Sequence, residues 1–181
     1  MMSPVVHNYA LAMVQLASSK GSLNRVRECA ESLVDHLAME EVKLFLESPR
    51  VNGTIKREFL QKLLPEDCPQ EFINFLNLII DRGYGGLLSN ILAKVVDYGI
   101  EAAGYEIITV ITAEPLTEAE REQLKARLEA LWETRLFLKY RVNPEVMGGL
   151  IVMRGDKLYD GSLAGQLENL RHKLLLATGQ S

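Results

Sequence analysis

The chain has 181 residues, of which 48% are hydrophobic and 24% are charged, an ordinary composition for a soluble globular protein. This length suffices for one large domain or two small ones. The formal net charge of −4 argues against a general nucleic-acid binder, which normally presents a basic face.

Cysteine and histidine are too few and too scattered to predict a metal site. Cys29 and Cys68 are the only cysteines, and we expect two buried free thiols in a reducing compartment. His7, His36 and His172 lack the spacing that places two ligands on one helix face. No stretch approaches the ~20 continuous apolar residues that span a bilayer, and no basic region precedes the first apolar stretch. We therefore expect a cytosolic chain.

The first hundred or so residues have the spacing of apolar side chains that is typical of helices. Ser3-Pro4 predicts the start of the first helix, and Thr54 is expected to cap the fourth. Turn residues separate six predicted helices in all. The separating signals are Lys20-Gly21, Ser48-Pro49, Asn52-Gly53, Pro65, Pro69 and the loop from Asp81 to Gly86.

The periodicity changes after Gly104. The β-branched run from Glu106 to Ala113 predicts a buried strand, and Thr117 with Glu120 predicts a capping box at the start of a helix. Leu136 to Val142 alternates between apolar and polar residues, which predicts a half-exposed strand.

The run from Met147 to Ser162 predicts two further short strands, joined at a Gly155-Asp156 turn. A second turn at Asp160-Gly161 leads to a final helix that Ser162 caps. One apolar stripe is predicted on this helix, formed by Leu163, Leu167, Leu170 and Leu174.

These patterns predict a mostly α protein with a smaller α/β part. The N-terminal six-helix bundle is expected to span residues 1–104, and a β-α-β-β-β-α domain residues 105–181. Two domains are preferred because the first half shows no strands and the second no more than two helices.

No pattern of catalytic residues stands out. Gly83 to Gly86 resembles part of a phosphate-binding loop, but a helix precedes it where a dinucleotide fingerprint needs a strand. We expect a flexible turn between helices there. Asp156 and Asp160 occupy turn positions that aspartate favours for backbone reasons. The sequence therefore predicts no active site, cofactor or metal.

Two predicted helices are apolar nearly all round, although a surface helix needs only one apolar stripe. The first runs from Val5 to Ala17 and the fifth from Phe72 to Ile80. Central burial inside the bundle is one explanation. The other is that their second faces form a groove for an amphipathic helix of a partner.

Motifs in both halves resemble the delta subunit family of bacterial and chloroplast-type ATP synthases, whose mitochondrial relative is the oligomycin-sensitivity-conferring protein. The resemblance covers nearly the whole chain. In the N-terminal half it rests on Tyr9-Ala10-Leu11-Ala12, Phe45, Ser48-Pro49, Lys56 and Asn74-Phe75-Leu76. In the C-terminal half it rests on Pro115-Leu116-Thr117, Asn143-Pro144, Gly148-Gly149, Gly155-Asp156 through Asp160-Gly161-Ser162, Leu167 and Leu170.

The resemblance implies a non-catalytic stator subunit in the peripheral stalk of a rotary ATP synthase. The N-terminal domain would hold the N-terminal helix of an alpha subunit, and the C-terminal domain would join the b subunits. The complex would place the chain at the cytoplasmic face of the bacterial cell membrane, attached only indirectly and without nucleic acid.

We assign the expected contacts to two sets of residues. The alpha-subunit groove would use Tyr9, Ala12, Met13, Ile73, Asn77 and Ile80. The surface for the b subunits would be presented by Gly148, Gly149, Asp160, Gly161, Ser162, Leu167, Leu170 and Leu174. The alternatives are a free-standing helix-binding adaptor outside any ATP synthase, and a small enzyme that uses the Gly83 loop with Asp156 or Asp160.

Overall fold

The computed structural model describes residues 4–146 and 148–161, and the chain divides into two compact units, Met1–Ala103 and Gly104–Ser181. The described residues are mostly helical, with a small mixed sheet of four strands. This agrees with the predicted fold class. None of the described helices is long and apolar enough to cross a membrane.

Six helices and one 3-10 turn make up the described part of the N-terminal unit. They are α1 (Pro4–Lys20), α2 (Leu23–Ala38), α3 (Glu40–Glu47), α4 (Gly53–Leu63), α5 (Gln70–Asp81), the 3-10 turn (Gly85–Leu87) and α6 (Leu88–Ala102). Helix α6 packs against both α1 and α2, and α4 packs against α5. The apolar face of α6 supplies the centre of the core, where Leu88, Ile91, Leu92 and Val95 are fully buried.

The start of α4 differs from the sequence prediction. Asn52, not Thr54, is the N-cap residue, because the Asn52 side chain accepts a hydrogen bond from the Thr54 backbone N–H at 3.0 Å. The helix therefore begins at Gly53, one residue before the predicted cap Thr54.

The prediction of two free thiols is wrong. Cys29 and Cys68 are joined by a disulfide, with their Cα atoms 6.3 Å apart. The fold brings α2 against the connection between α4 and α5, and the long separation of the two cysteines along the chain concealed this contact.

The glycine loop between α5 and α6 is a packed turn, not the expected flexible one. Gly85 and Gly86 are buried in the 3-10 turn, which lies against the end of α3. A Cβ atom added to Gly85 would lie 2.5 Å from the Leu46 carbonyl oxygen. Glycine is thus required here for close approach of two backbone segments.

The C-terminal unit contains β1 (Glu106–Thr112), α7 (Glu118–Trp132), β2 (Leu136–Val142), β3 (Leu150–Arg154) and β4 (Lys157–Asp160). The strand order is β2-β1-β3-β4, and only β1 and β2 run parallel. Helix α7 is the crossover that a parallel pair requires. Its predicted capping box between Thr117 and Glu120 is present.

One face of the sheet forms the core of this unit. Ile108, Val110, Leu136 and Val152 are buried, and Leu124, Leu128 and Trp132 of α7 pack over them. The hairpin of β3 and β4 turns at Gly155-Asp156 as predicted, and Gly155 has a φ of +56°. The predicted final helix, with its Ser162 cap and leucine stripe, lies outside the described residues.

Candidate partner-binding groove

An apolar groove lies between α1 and α5, on the surface of the N-terminal unit. Its cavity volume is about 400 Å³. We call it the α1–α5 groove, and it is lined by Tyr9, Ala12, Met13, Leu16, Lys20, Glu71, Asn74, Phe75 and Leu78. Leu16 and Leu78 are 42% and 43% exposed, so the groove presents apolar side chains from both helices to solvent.

The groove exists because each of the two helices has more apolar surface than the core can cover. Helix α1 turns Val6, Ala10, Val14 and Ala17 inward. Ala12 and Leu16 then remain on the outside of the same helix. Helix α5 likewise buries Phe72, Leu76 and Ile79 and leaves Leu78 exposed.

Polar side chains close one end of the groove. Lys20 at the end of α1 pairs with Glu71 in the first turn of α5, at 3.7 Å between Nζ and Oε2. The Ser22 hydroxyl donates to the other oxygen of Glu71 at 2.6 Å. These contacts, the Ser22 hydrogen bond first, lower the pKa of the Glu71 carboxyl below its ordinary value of 4.5.

Aromatic contacts fix the position of Tyr9 in the groove wall. The Tyr9 ring meets the edge of the Tyr84 ring, with centroids 5.8 Å apart. Tyr84 belongs to the glycine loop, and its backbone N–H donates to the Ile79 carbonyl oxygen at 3.0 Å. The packed loop therefore supports one wall of the α1–α5 groove.

A buried lysine holds the segment on which the loop rests. Lys56 on α4 is only 9% exposed, and its ammonium donates to the carbonyl oxygens of Leu46 and Ser48 at 2.7 and 2.8 Å. Those carbonyls lie at the C-terminal end of α3, where no backbone N–H of the same helix remains to donate to them. The lysine thus acts as the C-terminal cap of α3.

The C-terminal unit has a second cavity, of about 440 Å³, lined mostly by polar side chains. It is lined by Glu106, Arg154, Gly155, Asp156, Lys157 and Tyr159. Arg154 donates to both oxygens of Glu106 at 2.8 and 2.9 Å, and this pairing raises the pKa of the guanidinium. Its guanidinium also lies over the Trp132 ring. These contacts join β1, β3 and α7, which makes the ion pair a structural tie.

Among the described residues, no group of three or more His, Cys, Asp and Glu side chains is placed to hold a metal ion.

Comparison with known proteins then decides the family. The model of the family described as ATP synthase delta (OSCP) subunit matches residues 5–174 of the chain. The chain belongs to this family.

Relatives in the delta subunit family match over almost their full length. The ATP synthase subunit delta of Brevibacillus brevis is 29% identical over 174 residues, which cover 96% of this chain and 99% of the relative. The same subunit of Carboxydothermus hydrogenoformans is 30% identical over 171 residues, covering 94% and 96%. That of Halalkalibacterium halodurans is 30% identical over 180 residues, covering 94% of each chain.

A solved structure supports the same fold. A chain of the Toxoplasma gondii mitochondrial ATP synthase hexamer superposes with a TM-score of 0.69 at 24% sequence identity. The match covers 96% of this chain and 98% of that one.

The predicted contact residues of this delta-family chain fall into two groups. Tyr9, Ala12 and Met13 line the α1–α5 groove. Ile73, Asn77 and Ile80 do not line it, because the face of α5 that turns to α1 carries Asn74, Phe75 and Leu78 instead. Ile80 is 7% exposed and lies within reach of Gly53 at the start of α4.

The predicted surface for the b subunits is only partly described. Gly148 and Gly149 have φ angles of +78° and +76°, and they lead the chain into β3. Asp160 ends β4, and the Gly161 N–H donates to the Leu150 carbonyl oxygen at 3.0 Å. The other predicted residues, Ser162, Leu167, Leu170 and Leu174, lie outside the described ranges.

Proposed function

We propose that the chain is a non-catalytic stator subunit, which links the catalytic head of a rotary ATP synthase to its peripheral stalk. Family membership gives the setting, and the observation that carries the proposal is the apolar α1–α5 groove. In this account the N-terminal unit, residues 1–104, is a six-helix bundle that binds the head. Residues 105–181 bind the b subunits, and the assembled complex keeps the chain at the cytoplasmic face of the cell membrane.

The shape of the groove suits a single helix. From Tyr9 to Lys20 the α1 wall spans twelve residues, and the eleven steps between them at 1.5 Å each give about 16 Å or three helical turns. An amphipathic helix fits such a groove with apolar side chains at positions i, i+3 or i+4, and i+7. We assign this place to the N-terminal helix of the alpha subunit.

The side chains of the groove favour binding through apolar burial over binding through ion pairs. Its walls are mostly apolar, and its charged pair, Lys20 with Glu71, is already neutralised internally. Nanomolar binding corresponds to about 12 kcal/mol. Burial of apolar surface can supply this, whereas exposed ion pairs contribute roughly 0–1 kcal/mol each.

For the C-terminal unit we propose a contact with the b subunits on the face of the sheet that α7 does not cover. Met153 and Leu158 are cross-strand partners there, and they are 38% and 59% exposed. This exposed apolar pair supports a second docking surface on the C-terminal unit. Leu158→Asp is expected to weaken binding of a peptide from the C-terminal end of the b subunit.

Calorimetry with a synthetic peptide tests the groove. The peptide is the N-terminal helix of the alpha subunit from the same organism, titrated into the full-length chain. Ala12 is exposed in the free chain, so Ala12→Asp leaves the fold intact. The new carboxylate would face the apolar side of the bound helix without a partner, and we expect affinity to fall at least ~100-fold.

Ser18→Asp is the matched control. Ser18 is also exposed on α1 but does not line the groove. Six steps of ~100° each, or about 600° in all, separate it from Ala12 by about 120° around the helix axis. We expect the Ser18→Asp chain to bind within about threefold of wild type, since an exposed substitution away from such features has little effect. Equal affinities of the Ala12→Asp and wild-type chains would refute the groove assignment.

A further inference from the structure

The disulfide between Cys29 and Cys68 links α2 to the connection that leads into α5, one wall of the α1–α5 groove. Cys29 is fully buried on α2, and Cys68 is half-buried in the connection that leads into α5. Their Cα atoms are 6.3 Å apart, within the range that disulfides span. The chain contains no other cysteine, so the pairing has no competitor.

The position of the bond couples it to a groove wall. Cys68 precedes Pro69, the N-cap residue of α5. The Cys68 N–H donates to the Pro65 carbonyl oxygen at 3.2 Å. Only three positions after Cys68, Glu71 lines the groove and pairs with Lys20. Displacement of Cys68 therefore moves the first turn of α5 and the polar end of the groove.

The other ties between α2 and the start of α5 are weak or local. Arg25 pairs with Asp67, but the side chain of Asp67 is 71% exposed, and exposed pairs contribute little. Ser22 contributes one hydrogen bond to Glu71. Pro69 provides no side-chain cap for α5. The disulfide adds a covalent link to the apolar packing of Phe72, which is fully buried near the start of α5.

We propose that Cys29 and Cys68 form a redox-modification site that controls the α1–α5 groove. In the oxidised chain the start of α5 is fixed and the groove is preorganised for a helix; in the reduced chain this end is released and binding weakens. The inference concerns regulation of the groove and so rests on the proposed function.

The co-reactant is a protein or small-molecule dithiol. Its thiolate attacks the Cys68 sulfur, because Cys29 is fully buried and cannot be reached. The Cys29–Cys68 bond breaks, and the Cys29 sulfur leaves with the electron pair and takes a proton from water. The second thiol of the reagent loses its proton and attacks the reagent sulfur bound to Cys68. Cys68 is released as a thiol, so the protein disulfide gains two electrons and two protons, and the dithiol becomes a disulfide.

The test uses the full-length chain after treatment with oxidised glutathione or with dithiothreitol. Maleimide labelling and intact mass count the free thiols, calorimetry measures affinity for the alpha-subunit helix peptide, and circular dichroism measures the Tm. We expect no free thiols and at least ~5-fold tighter binding in the oxidised chain. Because the bond closes a loop of 39 residues, the Tm of the N-terminal unit should rise by about 10 °C or more.

Cys68→Ala provides the control that cannot form the bond. Its affinity and Tm should equal those of the reduced wild-type chain under both treatments. The proposal is overturned if two thiols persist in the folded chain after oxidation, or if bond formation leaves peptide affinity unchanged. A peptide that binds neither form refutes the proposed function and with it the control of binding, whereas the Tm response still reports whether the bond forms.

Discussion

Replacement of Gly85 by alanine tests whether the glycine loop is a packed support. Gly85 does not have a positive φ, so alanine introduces no backbone strain of its own. The added Cβ would instead lie 2.5 Å from the Leu46 carbonyl oxygen and 3.1 Å from its carbon. Both neighbours are backbone atoms, which cannot rotate away as a side chain does.

The magnitude follows from the movement required. Ordinary contact begins at 3.4 Å, so Gly85 and Leu46 must separate by about 0.9 Å (3.4 − 2.5). If the Leu46 carbonyl moves by this distance away from Lys56, its 2.7 Å hydrogen bond from the ammonium lengthens to about 3.6 Å and is lost. Overpacking costs ~1–3 kcal/mol, and a hydrogen bond to a charged group contributes ~1.5–3 kcal/mol. We expect a loss of about 3 kcal/mol in the free energy of unfolding.

Urea unfolding measures this loss with two probes. Helical circular dichroism reports mainly the N-terminal unit, whereas fluorescence of Trp132, the single tryptophan, reports the C-terminal unit. Gly85→Ala should shift the transition observed by circular dichroism to lower urea concentration and leave the transition observed by fluorescence unchanged. Gly53→Ala is the control, because the atom nearest its added Cβ would be 3.9 Å away. A Gly85→Ala loss below about 1 kcal/mol would refute the packing argument.

Three further predictions concern stability. Lys56→Met should cost about 3 kcal/mol in urea unfolding, because the buried Leu46 carbonyl loses its ammonium donor and the Ser48 carbonyl keeps only the 3.4 Å hydrogen bond from the Val51 N–H. Lys62→Met at an exposed position should cost less than ~0.5 kcal/mol. Glu71→Gln should lower the Tm most at pH 7. Because the pKa of Glu71 is lower in the folded chain, its carboxylate stabilises the fold fully above pH 4.5, and this stabilisation disappears as the pH falls further. The difference in Tm between Glu71→Gln and wild type should therefore narrow in acid. Thr117→Ala should destabilise the C-terminal unit by ~1 kcal/mol, observed by tryptophan fluorescence, because it removes the capping box of α7.

Local patterns were sufficient to predict most of the elements. Apolar spacing and turn residues located the helices, and the capping box at Thr117 and the Gly155 turn were predicted because they depend only on neighbouring residues. The sequence also pointed to α1 as a groove wall, since α1 has more apolar residues than one buried face needs.

Features that depend on distant contacts were missed. The face of α5 that turns to α1 is decided by packing, which buries Ile80 near Gly53 and leaves Leu78 in the groove. The disulfide and the close approach of Gly85 to Leu46 likewise join segments that are far apart along the chain. No local pattern reports such distances. The paired glycines of the loop were a signal, but they indicate close packing and flexibility equally well.

Photocrosslinking within the assembled complex tests the central claim most directly. A photoreactive phenylalanine, p-benzoylphenylalanine, replaces Leu78 in the groove or Ser18 outside it, and native membranes are irradiated before mass spectrometry. We predict that position 78 crosslinks to the N-terminal helix of the alpha subunit and that position 18 does not. A chain that assembles into the complex but forms no alpha-subunit crosslink from position 78 would contradict the account.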